Sequence, residues 1–438
     1  MSSTNTNQQK ISSIGIFIWT LATIFFFYEY FLRVFLGTIA DDVMRDLFIS
    51  AEQFSIITAS YYVTYGIMQT PVGILVDRYG SRLLLTLACV ACTLGVIWFS
   101  FSNSFYAGVF SRLLIGFGSA FAFVSLLSLS LNWFPKDNFG FMVGLAQFLG
   151  AIGPIVAGAP LAMIIRAFDD NWRLVLFLTG MIGVVLTILL AIFIRNKPKG
   201  HKNQIYFLSK SEPLLQKIQK LLNNPQVWFI TFYAATVYVS LPLLGAYWGV
   251  SYLEARGFPK SGAAFIVSML WLGLSIGCPV IGKVSDKLKR RKPLLIIASL
   301  LGVMASSLIL FFPTNDDIVL SVFFFLLGLA ASGQSLSFAT ISEHAPSKLK
   351  ATSLGVNNTT IMLLGAIIPQ FASSIIQRSA GGSTPFVQQD FESGLAIMPI
   401  LFSISFVLAL FAIKETFCRS QHEIKYVSTK KTNSFYIQ

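Results

Sequence analysis

The chain has 438 residues, of which 55% are hydrophobic and only 12% charged, and its mean hydropathy is +0.70. Soluble domains carry about 25% charged residues, so this composition excludes a soluble enzyme or binding module and points to membrane helices. The formal charge of +13 invites a nucleic-acid reading, but no soluble basic domain exists to carry it, and no nucleic-acid partner is expected.

Residues 1–13 read as a polar tail with no signal-peptide cleavage pattern. Twelve apolar spans follow, at 14–38, 52–76, 82–102, 105–131, 138–165, 172–194, 225–252, 261–282, 292–312, 317–340, 350–377 and 393–413. Span one holds Glu29, Tyr30 and Arg33. Ionisable groups at this depth cost about 2.5–3.5 kcal/mol on insertion scales and face a cavity or a partner. Glu29 and Arg33 share a helix face, which leaves two readings open. They neutralise each other and only pack, or Arg33 offers its planar fork to an anionic solute beside a titratable carboxylate. In the second reading a bound anion loosens the hold of Arg33 on Glu29, which couples binding to protonation and makes Glu29 the proton carrier.

Span two places Tyr61, Tyr65 and Gln69 at intervals of four, on one face. It runs into a basic turn containing Gly73, Asp77, Arg78, Gly80 and Arg82. In span three, Cys89 and Cys92 lie one turn apart, with no second ligand pair to complete a metal site. With Cys278 in span eight and Cys418 in the tail, no disulfide framework is available and no metal is expected. Span four carries Arg112 and Gly116, where an outer gate, a proton path and a structural ion pair are equally open. Span five combines Gln147 with Gly144, Gly150, Gly153, Gly158, Pro154 and Pro160, a set suited to close packing and bending.

Residues 196–224 form a basic linker, in which 210–222 have the pattern of a short amphipathic helix at the membrane surface. In the second half, Pro242 and Gly245 interrupt span seven and Pro279 bends span eight. A second basic turn carries Gly282, Asp286 and Arg291 at an offset of 209, with Lys289 at the position of the second glycine. Glu343 and His344 close span ten and read as a solvated loop rather than a relay or a metal site. Asn357 and Asn358 lie in span eleven. They form the only Asn-x-Thr triplets, out of reach of glycosylation, which favours a prokaryotic source. Leu149-Gly150-Ala-Ile-Gly-Pro154 and Leu364-Gly365-Ala-Ile-Ile-Pro369 repeat at an offset of 215. Two repeats at nearly one offset divide the chain into halves, 14–195 and 225–413, followed by a tail at 414–438.

Charge orients these spans. With the N-terminus inside, the inner segments hold 24 Lys/Arg and 7 Asp/Glu, and the outer segments 6 and 11. This is the positive-inside bias, and it puts both termini in the cytoplasm. No phosphate loop, nucleophile triad or dinucleotide fingerprint appears, so neither an enzyme nor a cofactor is expected.

The twelve-span layout, the basic middle loop and the duplicated Gly-Asp-Arg turn resemble the major facilitator superfamily over about residues 14–413. The resemblance implies an all-α membrane fold of two six-helix bundles, a secondary transporter working by alternating access, and a monomer in a cytoplasmic (inner) membrane. It implies that the turns around Asp77 and Asp286 are conformational latches, with Arg82 pairing across the seam between the halves, and that Arg112 and Gly116 belong to a fourth-helix motif. Tyr30 and Arg33 are similar to the first-helix pattern of the organic-anion and organophosphate branches, where the arginine binds substrate. Span seven has no second arginine, contrary to the organophosphate exchangers, which leaves organic anions, zwitterions and peptides. The family's usual cavity draws Tyr61, Tyr65, Gln147 and Asn357 toward the substrate. Proton symport is the expected mode. The alternatives are a drug- or siderophore-type exporter, a passive uniporter and a transporter-like solute sensor.

Overall fold

The computed structural model describes residues 12–198, 214–346, 349–381 and 386–420. Most of the N-terminal tail, the linker stretch 199–213 and the tail beyond 420 lie outside the described residues.

Among those residues there is no strand. The first half holds α1 (Ser13–Val34), α2 (Ala40–Leu47), α3 (Ala51–Tyr79), α4 (Ser81–Ser100), α5 (Phe105–Trp133), α6 (Phe139–Ala157), α7 (Ala159–Ala167) and α8 (Trp172–Phe193). The amphipathic α9 (Leu214–Leu222) falls within the surface helix expected over 210–222. The second half holds α10 (Pro225–Tyr238), the short α11 (Ser240–Pro242), α12 (Gly249–Ala255), α13 (Lys260–Leu288), α14 (Lys292–Phe311), α15 (Asp317–Ala331), α16 (Gly333–His344), α17 (Lys350–Ser379), α18 (Gln388–Leu395) and α19 (Ile397–Val407). Eleven helical stretches are long and apolar enough to cross a membrane. The 29-residue α3 is the twelfth span, and its tyrosines, threonines and glutamines keep it more polar than the rest.

Local chemistry sets the helix starts. Side chains of Ser12, Ser104, Asn171, Asn224 and Asp316 accept from the first free amides of α1, α5, α8, α10 and α15. Ser50 and Gln53 close a reciprocal box at the start of α3.

Among the described residues five spans are not continuous α-helix: span ten is interrupted at Ser332, span twelve at Ala396 and again by a π-helical turn, Leu408–Ala412, and three more break as follows. Span one ends its α-helix at Val34 and continues as a 3-10 turn, Phe35–Ile39. Span five breaks at Gly158, between Pro154 and Pro160. Span seven passes through α11 and a π-helical turn, Leu243–Trp248, around Pro242 and Gly245. The helix α2, between spans one and two, has no counterpart among the sequence expectations.

The chain packs as two compact units. Among the described residues the first comprises 12–135, 148–198 and 349–355, and the second 136–147, 214–346, 356–381 and 386–420. In the first, α5 packs along α3, α4 and α1, with α8 on α4. In the second, α13 lies on α15, α14 on α19, and α10 on α16.

Candidate functional site

Glu29 and Arg33 form a two-contact ion pair at the inner face of α1, with Arg33 Nη2 at 3.1 and 3.3 Å from the carboxylate oxygens. Tyr61 of α3 completes a triangle. Its hydroxyl donates to Glu29 Oε2 at 3.0 Å and accepts from Arg33 Nε at 3.2 Å. The guanidinium carbon lies 4.1 Å from the Tyr30 ring centroid and 4.6 Å from that of Tyr65, so two aromatic faces hold its plane. Glu29 is fully buried, whereas Arg33 keeps 12% of its side chain exposed. Nη1 of Arg33 makes no hydrogen bond to any described residue.

Of the three readings left open for Arg112, its surroundings bear on one. Arg112 is completely buried and pairs with no carboxylate among the described residues, so the ion-pair reading is corrected. Its Nη1 and Nη2 donate to the carbonyls of Leu32 and Arg33 at 2.7 and 3.1 Å. These carbonyls lie at the end of the α-helical part of α1, and a cation suits the negative end of a helix. Arg112 also lies 4.9 Å from the Tyr61 ring centroid. Gly116, one turn on, lets α5 touch α3: a Cβ there would sit 2.3 Å from the Tyr61 carbonyl oxygen.

The other predicted contacts divide between the units. Gln69 is buried on α3. Gln147 is half-buried and makes no hydrogen bond to the described residues. Asn357 is fully buried in the second unit, where its Nδ2 donates to Ser337 Oγ at 2.8 Å and its Oδ1 has no partner among the described residues.

The duplicated turns have parallel geometry. Asp77 accepts from the amides of Ala351 and Thr352, at 3.1 and 2.7 Å, and from Thr352 Oγ1 at 2.6 Å, at the first turn of α17. Asp286 accepts from the amide of Phe141 at 2.8 Å, at the first turn of α6. Gly73 lies beside Gly355 in the first unit, where a Cβ on Gly73 would sit 2.6 Å from the Ala351 carbonyl oxygen, and Gly282 lies beside Gly140 in the second, where a Cβ on Gly282 would sit 2.2 Å from the Gly140 carbonyl oxygen. Gly140 and Gly355 are the positions that the 215-residue repeat aligns. Gly80 has φ +80, and Lys289, its counterpart, is also left-handed at φ +54 and pairs with Asp137.

The arginines of the two turns differ. Arg82 makes no ion pair among the described residues; it donates to the Ala191 carbonyl at 3.0 Å, which corrects the expected pairing across a seam. Arg78 is exposed and stacks on Tyr79. Arg291 is fully buried between Asp286, at 2.6 Å, and Glu343, at 2.8 Å. Glu343 also accepts from Thr416 Oγ1, so Glu343 and His344 are buried and the solvated-loop expectation was wrong. Sequence reasoning missed this network because its partners lie 52 and 73 residues away. The segment after α19 completes it. Glu415 accepts from the amides of Arg291 and Lys292, at 2.9 and 3.0 Å, at the start of α14. The four cysteines are free and buried, and no metal-binding group of side chains occurs among the described residues.

Twelve long helices, a repeated carboxylate-to-helix-start turn and a buried ion pair on the first span define a membrane transporter built on a duplicated bundle. A sequence model of the Major Facilitator Superfamily matches residues 18–369, and the chain belongs to that family. It is 23% identical over 411 residues to the probable sulfoacetate transporter SauU of Cupriavidus necator, covering 86% of this chain and 91% of that protein. It is 27% identical over 263 residues to the hexuronate transporter of Bacillus subtilis, covering 59% and 61% respectively. Among solved structures, the proton:xylose symporter XylE bound to 6-bromo-6-deoxy-D-glucose aligns with a TM-score of 0.71 at 16% identity, over 95% of this chain and 99% of that one. That likeness is one of fold.

Proposed function

We propose that this transporter carries a small organic anion across a bacterial cytoplasmic membrane, in proton-coupled symport by alternating access. Arg33 binds the anion, Tyr30 and Tyr65 orient it, and Glu29 carries the proton. The observation that carries this reading is the state of Arg33. Glu29 and Tyr61 hold one edge of its guanidinium and two tyrosines its faces, while Nη1 has no acceptor among the described residues and the side chain keeps 12% of its surface exposed. A planar fork fixed in this way is ready to accept one oxyanion. The relatives named for sulfoacetate and for hexuronate handle carboxylate-bearing solutes, which supports the same class here. The resting pair with Glu29 does not contradict binding. It is the state that keeps a cation tolerable before the anion arrives.

In this reading Asp77 and Asp286 hold their helix starts in one state of the transport cycle and release them in the other. Both termini are cytoplasmic, the halves 14–195 and 225–413 are the moving bodies, and the protein acts as a monomer. The test is uptake of sulfoacetate into proteoliposomes under an inward proton gradient. Accumulation that collapses with the gradient and is lost in Arg33→Ala is the expected result. Binding without counterflow would make the protein a sensor, and equilibration without accumulation would make it a uniporter.

A further inference from the structure

The charges buried around Arg33 do not cancel. Arg33 and Arg112 bring two positive charges and Glu29 one negative. The titratable and charged groups facing Glu29 are Arg33 from its own helix, Tyr61 from α3 and Cys92 from α4, while α5 contributes Arg112 against the Tyr61 ring. No second carboxylate of the described residues faces the cluster. Arg112 is held by main-chain carbonyls, which solvate its charge without neutralising it. Among the described residues the cluster therefore carries one uncompensated positive charge, which is disfavoured inside a membrane span.

Resting on the anion reading of Arg33, we propose that the loaded site fills to electrical neutrality, so that the solute's valence sets how many protons travel with it. A monoanion binds beside ionised Glu29 and brings no proton. A dianion beside ionised Glu29 would set three negative charges against the two of Arg33 and Arg112, so the carboxylate takes up a proton and restores the balance. The proton coupling is thus conditional on the charge of the solute. Tyr61 makes both states tenable. Its hydroxyl now gives its proton to Glu29 and accepts from Arg33. A hydroxyl both donates and accepts, so it can turn and receive a hydrogen bond from protonated Glu29.

The experiment is calorimetric binding of two probes, glucuronate as the monoanion and sulfoacetate as the dianion, to the purified wild-type protein in buffers of different ionisation enthalpy. Sulfoacetate should take up one proton per molecule bound, and its Kd should tighten about tenfold for each unit of falling pH between the titrations of the free and the loaded site. Glucuronate should take up none, with a flat Kd. Glu29→Gln should abolish the proton uptake and the pH slope of sulfoacetate. Equal proton uptake by both probes, with binding still lost in Arg33→Ala, overturns the valence rule and leaves the anion reading standing. Binding of neither probe, or binding indifferent to Arg33→Ala, overturns the anion reading and the rule with it.

Discussion

Arg112 has no counter-ion among the described residues, and its two bonds end on carbonyls at the end of α1. Truncating it strands two buried acceptors, at a cost of about 1–3 kcal/mol each. Melting temperatures in detergent should therefore fall in the order wild type, Arg112→Lys, Arg112→Leu, because a lysine reaches one carbonyl and a leucine none. Equal melting would remove the capping role. For Arg33, the informative change is to lysine. An ammonium cannot hold Glu29, Tyr61 and an incoming anion in one plane, so anion affinity should drop by about tenfold or more with the charge conserved. An unchanged Kd for sulfoacetate would show that only the charge matters. Glu29 and Arg33 were legible in the sequence because ionised groups four apart in an apolar run have few explanations. The partner of Arg112 was not, because a carbonyl freed at a helix break leaves no trace in residue type.

At the scale of elements, the site depends on how closely α5 approaches α3. Gly116→Ala puts a methyl group 2.3 Å from the Tyr61 carbonyl, where main chain must move. The expected loss is about 1–3 kcal/mol of stability, together with weaker anion binding as Tyr61 shifts. Gly66→Ala on the same α3 meets nothing within 4 Å and serves as the control. The segment after α19 offers a second test. Cys418 is 2% exposed, and burial pushes its thiol up to about 12, so maleimide should label it slowly at neutral pH. Glu415→Ala should speed the labelling by loosening that segment; unchanged labelling would mean that Glu415 does not hold it. Apolar length gave the spans, and Pro242 with Gly245 and Pro154 with Pro160 marked two of the breaks. The break after Val34 had no such marker, since nothing in Val34–Ile39 forbids a continued helix and Arg112 stabilises its end from another element.

At the scale of the whole molecule, the repeats extend beyond sequence into geometry. Asp77 and Asp286 each accept main-chain amides at a helix start, beside a glycine–glycine approach. Asp77→Asn and Asp286→Asn should leave anion Kd within about twofold while slowing counterflow, since neither aspartate touches the Arg33 cluster. Asp286→Asn should be the more destabilising, because it also leaves the fully buried Arg291 with Glu343 alone. Turnover unchanged in both variants would remove the latch role. The duplicated turn was readable from Gly73, Asp77 and their copies, but the burial of Glu343 was not, because a tail residue, Thr416, helps to enclose it.

Glu415 covers the opening amides of α14 from 123 residues further along the chain. During synthesis those amides emerge long before the carboxylate that closes them, so a nascent protein with all its spans inserted is still unfinished at this point. A ribosome halted just past residue 412 would release a chain of full membrane topology with that seam left open, and cellular proteases would have a reason to distinguish it from the completed product.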